Sequence, residues 1–187
     1  MNVLALSDAQ LVNRAKKGNT DAVGDLFDRH HRSIFRFVWS QVQDEQLAED
    51  LTSEVFIRMV NHLPAYRLTE VPFRAWLYRI ARNLIVDQHR LENGRLPTPL
   101  DNAKHIAQPG QDPAAIAENQ LTLDQIGRAL AQLEPSQRDV IALRFLADMS
   151  LREVAETLEK SIAAIKSIQH RALATLRARL KQDKVNA

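Results

Sequence analysis

The chain of 187 residues contains no cysteine. Disulfides, thiolate metal sites and a cysteine nucleophile are therefore excluded, as is thiol redox sensing by the chain itself. Glycine (5) and proline (7) are too scarce for a loop-rich β-sandwich or a collagen-like repeat. No apolar run approaches the roughly 20 residues that cross a bilayer. The stretch Met1 to Ser7 lacks the basic start and the length of a signal peptide. A P-loop, a G-x-S-x-G elbow and a dinucleotide fingerprint are also missing. What is present, 45% hydrophobic and 26% charged residues, is the balance of a soluble globular protein. The expectation is a cytoplasmic protein without membrane insertion, with no cofactor and no catalytic residue.

The net charge of +2 conceals segregation along the chain. Asp44, Glu45, Glu49, Asp50 and Glu54 lie in one stretch free of Lys and Arg. Arg67, Arg74, Arg79, Arg82 and Arg90 face only Glu70 and Asp87, and Lys160, Lys166, Arg171, Arg177, Arg179, Lys181 and Lys184 face only Asp183. Basic stripes suit phosphate neutralisation, although solvated helix faces carry the same charges.

Apolar spacing predicts helices and no strand. Ser7 and Gln10 form a capping box, with Gly18 suited to the end of that first helix. Thr20 or Asp21 suits the cap of a second, whose apolar positions are Val23, Leu26, Phe27, Ile34, Phe37 and Val38. Asp44 opens a third with Leu47, Leu51, Val55 and Met59 on one stripe, and Pro64 follows it. Pro72 suits the first turn of a fourth, which buries Phe73, Trp76, Leu77, Ile80 and Leu84. The pattern then stops from Leu91 to Ala117, where Pro97, Pro99, Pro109, Gly110 and Pro113 mark a linker. Helical spacing resumes near Glu118, and again at Pro135 with Val140, Ile141, Leu143 and Phe145. The division is thus 1–91, linker 92–117, and 118–187, with a tail too short for a fused regulatory domain.

Ser150 and Glu153 make another capping box over a two-turn helix to Leu158. After a break, Ser161 caps a longer basic helix. A short helix, a tight turn and a basic helix form a helix-turn-helix pattern. Val154, Ala155 and Leu158 are expected to meet Ile162, Ile165 and Ile168. That phase turns Ala163, Lys166, Ser167 and His170 outward, with Arg171 at the margin. Small residues there let the backbone approach a groove, and Lys166 and Arg171 reach phosphates or base edges. An ordinary basic helical hairpin satisfies the same pattern.

Three segments carry a family resemblance. Asp44-Glu45-Gln46-Leu47-Ala48-Glu49-Asp50-Leu51-Thr52-Ser53-Glu54-Val55-Phe56-Ile57-Arg58 resembles region 2.2 of bacterial RNA polymerase sigma factors. The segment Phe73 to Asp87 is similar to regions 2.3 to 2.4. Leu133 to Val140, followed by Ser150 to Ala155, is similar to region 4. Order and linker resemble the two-domain extracytoplasmic-function (ECF) group, over roughly Leu11 to Lys181. The resemblance implies an all-α fold: a region 2 bundle and a region 4 helix-turn-helix domain joined by a flexible linker. It implies a sigma factor that binds core RNA polymerase, through the β′ clamp and the β subunit, and reads promoter DNA. An anti-sigma factor is a further partner found for the family.

The resemblance also assigns residues. Glu49, Asp50, Glu54 and Arg58 would dock on β′, and a basic partner would relieve the i, i+4 repulsion between Asp50 and Glu54. Arg79, Arg82, Asn83, Asp87 and Arg90 would read the −10 element, with Asn83 offering two hydrogen bonds to a base edge. Tyr66 and Arg67 would capture an unstacked base. Trp76 is in phase with Phe73 and Ile80, which favours core packing over stacking on DNA. Ser161, Ala163, Ala164, Lys166, Ser167, Gln169, His170 and Arg171 would face the −35 element. The sequence departs from the family in the region 4 turn. Glu159 stands where Gly is frequent, Ala164 where Thr is, and Ile168-Gln169 where an Arg-Leu pair is. Glu tolerates a left-handed turn poorly.

Two other function classes compete. A helix-turn-helix regulator dimerising through its first helices would need no polar Asn83/Asp87 face. A carboxylate-bridged metal bundle needs two Glu-x-x-His helices and further carboxylates, whereas Asp28 and His31 supply a single Asp-x-x-His.

Overall fold

A computed structural model describes residues 6–68, 71–93 and 127–185. The helices are α1 (Asp8–Ala15), α2 (Thr20–Val42), α3 (Glu45–His62), α4 (Phe73–Asn93), α5 (Pro135–Ile141), α6 (Leu151–Leu158) and α7 (Ile162–Val185). Residues 127–131, ahead of α5, are also helical. No strand occurs among the described residues. Leu91–Asn93 complete α4, and the rest of the proline-rich linker lies outside the described residues.

Side chains close to each helix start fix the boundaries. Ser7 and Gln10 form the expected reciprocal box on α1, and the Asp44 carboxylate accepts from Leu47 N at 2.8 Å to open α3. Ser150 and Glu153 repeat the box on α6. Ser161 Oγ accepts from Ala164 N at 3.2 Å at the head of α7. The cap of α2 is Asn19, not Thr20 or Asp21. Its Oδ1 accepts from Ala22 N at 2.7 Å, which places Thr20 inside the helix.

Helices α1 to α4 bury a common core in which Leu11, Leu26, Ile34, Phe37, Val55, Met59, Leu77 and Tyr78 are almost wholly enclosed. The Phe37 and Tyr78 rings meet edge-on at 5.3 Å, joining α2 to α4. Phe27 does not join this core. It lies 39% exposed at the rim, where Phe56 meets it edge-on at 4.7 Å and His31 meets it tilted at 4.6 Å.

In the second set of helices, Val154 and Ala155 of α6 pack with Ile165 and Ile168 of α7 in the expected phase. Ile162 is instead 43% exposed, since it opens α7 outside the crossing that buries Ile165. Phe145 also faces solvent. Beyond α5 the backbone widens into a π turn, Ala142–Leu146, with Ala147 N donating to Ala142 O at 3.0 Å. The extra residue in that turn advances the apolar phase by one, so Leu146 packs inward in place of Phe145.

The two sets are not separate in space. A single cluster of buried side chains runs from α1–α4 into Val140, Leu143, Met149 and Val154. Trp39 near the end of α2 lies against Gly127, and Gln43 Nε2 donates to Gly127 O.

A half-buried charge cluster ties α1 to α2. The Asp8 carboxylate meets Arg29 Nη1 at 2.7 Å and His30 Nε2 at 2.9 Å, and His30 is 5% exposed. Burial pushes the Asp8 pKa up, but the hydrogen bonds and charges of His30 and Arg29 outweigh it, so the carboxyl sits below its ordinary 3.8. A lowered carboxylate pKa contributes stability above the ordinary value, and this is lost as pH falls through the folded value. Asp8→Asn is expected to cost about 1–3 kcal/mol at neutral pH, because it weakens two charge-assisted hydrogen bonds. The loss should shrink in acid below 3.8, where wild type loses the same term. Urea denaturation at neutral and acidic pH measures both.

Candidate polymerase and promoter surfaces

On α3 the first turns expose Glu49 and Asp50. One turn on, Glu54 and Arg58 form an i, i+4 ion pair at 2.8 Å, both side chains 41% exposed. Sequence reasoning missed what lies beside them. Ile57 is 55% and Val60 46% exposed, one helical turn apart. An i+3 spacing from Glu54 to Ile57 to Val60 was the available signal, hidden because apolar residues on a helix are ordinarily assigned inward. The face therefore combines two exposed aliphatic side chains with a carboxylate rim.

The loop before α4 is built around Tyr66. Its ring is 6% exposed and stacks on Trp76 at 4.6 Å. The hydroxyl donates to Val71 O at 2.5 Å, and Lys16 Nζ donates to Tyr66 O at 2.7 Å. Burial, then the Asp8 charge, pushes the hydroxyl pKa up to about 12. Tyr66 is thus a packing residue of this loop and not a surface stacking platform, which corrects the sequence expectation. Its ring is taken up by Phe73, at 5.9 Å, and by Trp76. Arg67 is exposed, and Trp76 is half-buried against the core as expected.

Helix α4 divides its polar residues in two. Asn83, Asp87 and Arg90 are exposed, with Asp87 and Arg90 3.8 Å apart. Arg79 and Arg82 are turned onto the second set of helices. Arg82 Nε donates to Asp139 Oδ2 at 2.8 Å. Arg79 Nε donates to Glu156 O at 3.0 Å, and its Nη1 lies 3.3 Å from Glu159 Oε1. Nearby, Arg74 Nη1 donates to Asp148 O at 3.3 Å. Burial raises the Asp139 carboxyl above its ordinary value, and Arg82 only partly offsets this. The sign is opposite to that of Asp8: the raised group favours the folded form below 3.8, and that contribution is lost as pH rises through the folded value.

At the head of α7, Ser161, Ala163, Lys166, Ser167, His170 and Arg171 are exposed together, and Ala164 is half-buried beside them. Gln169 is also half-buried, and its Oε1 is enclosed without a partner among the described residues. The turn before α7 has Glu159 at φ 54°, the left-handed conformation for which Gly is suited. Among the described residues no group of three or more His, Asp and Glu is placed to hold a metal, and no helix is long and apolar enough to cross a membrane.

Comparison with known proteins assigns the chain to a family. Residues 26–95 match the Sigma-70 region 2 model, and residues 129–178 match the Sigma-70, region 4 model. The ECF RNA polymerase sigma factor BldN of Streptomyces coelicolor is 34% identical over 93% of this chain, which spans 66% of that relative's length. The ECF RNA polymerase sigma factor SigX of Bacillus subtilis is 32% identical, over 83% of this chain and 82% of its own. In three dimensions the chain is similar to CnrH, solved in complex with the cytosolic domain of CnrY. The TM-score is 0.75 and the identity 28%, over 94% of this chain and 98% of that one. A dimeric helix-turn-helix regulator does not account for the region 2 match across α2 to α4. The chain belongs to the ECF RNA polymerase sigma factors, and its function is that of a sigma factor directing transcription initiation.

Proposed function

We propose that α3 docks on core RNA polymerase, α4 reads the −10 element, and the head of α7 reads the −35 element. The observation that carries this reading is the α3 face, where the exposed Ile57 and Val60 share one side of the helix with Glu49, Asp50, Glu54 and Arg58. Apolar side chains exposed within a charged rim are the arrangement of a protein interface. We divide the chain into a docking and −10 unit (1–91), a connector (92–117) and a −35 unit (118–187). Arg67, Arg79, Arg82, Asn83, Asp87 and Arg90 form the −10 surface, and Tyr66 supports it from beneath. Ser161, Ala163, Ala164, Lys166, Ser167, His170 and Arg171 form the −35 surface, with Gln169 at its inner edge. The protein acts in the cytoplasm and performs no covalent chemistry. Recognition and strand separation draw on binding energy, and the polymerase makes the bonds. An anti-sigma partner belongs to the same reading, by likeness to CnrH with its bound CnrY domain.

Co-elution of the full chain with core polymerase tests the docking assignment directly, and a folded chain that never co-elutes contradicts it. Asn83→Ala is expected to reduce discrimination between −10 variants by about 1–3 kcal/mol, the worth of one bidentate base contact. Its co-elution with core should be unchanged, since Asn83 lies on a different helix from the docking face. Lys166→Ala should weaken duplex binding similarly for all sequences and reduce the slope of log K against log salt by about 1. An unchanged slope would remove Lys166 from the phosphate contacts.

A further inference from the structure

A cleft of about 710 Å³ opens where the start of α1, the loop before α4 and helix α6 meet. None of its lining residues belongs to the surfaces assigned above. Small-molecule sites measure roughly 300–1,000 Å³. The lining is apolar at Leu68, Val71 and Phe73, and charged at Arg74, Arg152 and three carboxylates. Those carboxylates are already engaged. Asp8 meets Arg29 and His30, Glu153 Oε2 accepts from Ser150 N at 2.8 Å, and Glu156 Oε1 accepts from Arg152 Nε at 3.0 Å. Glu156 Oε2 is enclosed, which keeps it from a ligand in the cleft. The two guanidinium groups keep donors in reserve. Arg74 Nη1 makes only a long bond to Asp148 O, 3.3 Å, with Glu153 Oε1 at 4.0 Å. Arg152 engages Nε alone, and its Nη1 and Nη2 have no hydrogen-bond partner among the described residues.

Unused donors beside an apolar lining select an anion that carries a hydrocarbon part. A guanidinium presents its N–H groups as a planar fork that matches a carboxylate. We propose that this cleft binds a small amphipathic organic acid, its carboxylate on Arg74 and Arg152 and its hydrocarbon on Leu68, Val71 and Phe73. The site stands independently of the promoter-reading assignment. Its frame is preformed, because the buried cluster that runs from α1–α4 into Val140, Leu143, Met149 and Val154 fixes α6 beside α4. A preformed site loses little affinity to ordering. An alkylammonium of the same length would be repelled by both guanidinium groups, and an uncharged alcohol would keep the apolar contacts alone. The bound acid touches the starts of α1 and α4 and helix α6 at once, so it stabilises the folded chain as its concentration passes Kd.

Calorimetric titration of the full-length chain with sodium octanoate, octylamine and octanol, all below micelle-forming concentrations, tests the chemistry. Octanoate is expected to bind saturably, one per chain, with a Kd on the order of 1 mM or tighter. Octylamine and octanol should bind at least about tenfold more weakly, as they forgo the charge-assisted hydrogen bonds. Octanoate should also raise the melting temperature in a concentration-dependent way. Arg152 is 82% exposed, so Arg152→Glu should leave the fold intact while weakening octanoate about tenfold or more. If circular dichroism shows Arg152→Glu unfolded, Arg152→Ala takes its place in the same titration. Amide chemical shifts locate the ligand, and the largest octanoate-induced changes are expected at Ala9, Leu68, Val71 and Arg152. Absence of saturable octanoate binding would overturn the proposal. So would equal affinity for octylamine, undiminished binding by a folded Arg152 variant, or shifts centred on the exposed Ile57 and Val60, which would mark adsorption to an apolar surface. All of these readouts are free of polymerase and DNA, so a failure of the promoter assignment would appear separately, in transcription.

Discussion

Phe37→Ala is expected to cost about 3–5 kcal/mol, the range for emptying a buried aromatic site. Phe37 is wholly enclosed and meets the Tyr78 ring edge-on at 5.3 Å. The same ring contact positions α4 on α2, so the loss falls on the element that carries the −10 surface. Domains of this size have a net stability of only about 5–15 kcal/mol. The variant should therefore have a much lower urea midpoint, and α4 should lose its alignment before α3 loses its helix. Tyr78 cannot compensate by moving, because it too is fully buried. A loss below about 1 kcal/mol would mean that the core does not hold the two helices as described.

The second large effect concerns polymerase binding. Ile57→Asp places a carboxylate at the centre of the proposed docking face. Because Ile57 is 55% exposed, the fold should lose little. Binding should lose about 2–3 kcal/mol, roughly 30–150-fold in Kd, the scale of a central interface residue. Reversing Glu49 and Asp50 to lysine should act differently, mainly slowing association and changing its salt dependence, because rim charges steer encounter. A titration of labelled core polymerase at two salt concentrations separates these effects. Equal affinity for wild type and a folded Ile57→Asp would move the docking face away from α3.

The contrast between Ile57 and Asn83 shows what sequence can reveal. Asn83 was legible because a polar residue in phase with Asp87 and opposite Leu77 and Leu84 has one reading, outward. Ile57 was not, because an exposed isoleucine is contrary to the default assignment and no local pattern marks it. Helix starts were legible for a related reason. Ser7, Asp44, Ser150 and Ser161 act on backbone groups about three residues away, so the physics is contained in the sequence window. The α2 cap was misplaced by one or two residues, since Asn19, Thr20 and Asp21 all have suitable side chains and only the backbone path selects Asn19.

Long-range contacts were beyond this kind of reading. Arg79 and Arg82 look like DNA ligands in isolation. Their partners Glu159 and Asp139 lie on the far side of the linker, and nothing in the spacing of either segment links them. Tyr66 shows the opposite failure. An aromatic residue beside an arginine suggests base capture, but Trp76 and Val71 provide it with a stacked ring and a carbonyl acceptor inside the fold. In the region 4 turn, Glu159 does adopt the left-handed conformation that the sequence made doubtful. Because its side chain reaches Arg79, Glu159→Gly would relieve backbone strain while removing one interdomain ion pair.

Promoter-dependent transcription reconstituted from purified core polymerase, with and without this chain, tests the central claim most directly. The account predicts discrete run-off products from a subset of genomic promoter fragments only when the chain is present. Those products should be lost with Ile57→Asp and should show relaxed −10 preference with Asn83→Ala. A folded chain that stimulates no fragment across a genome-wide set would contradict it.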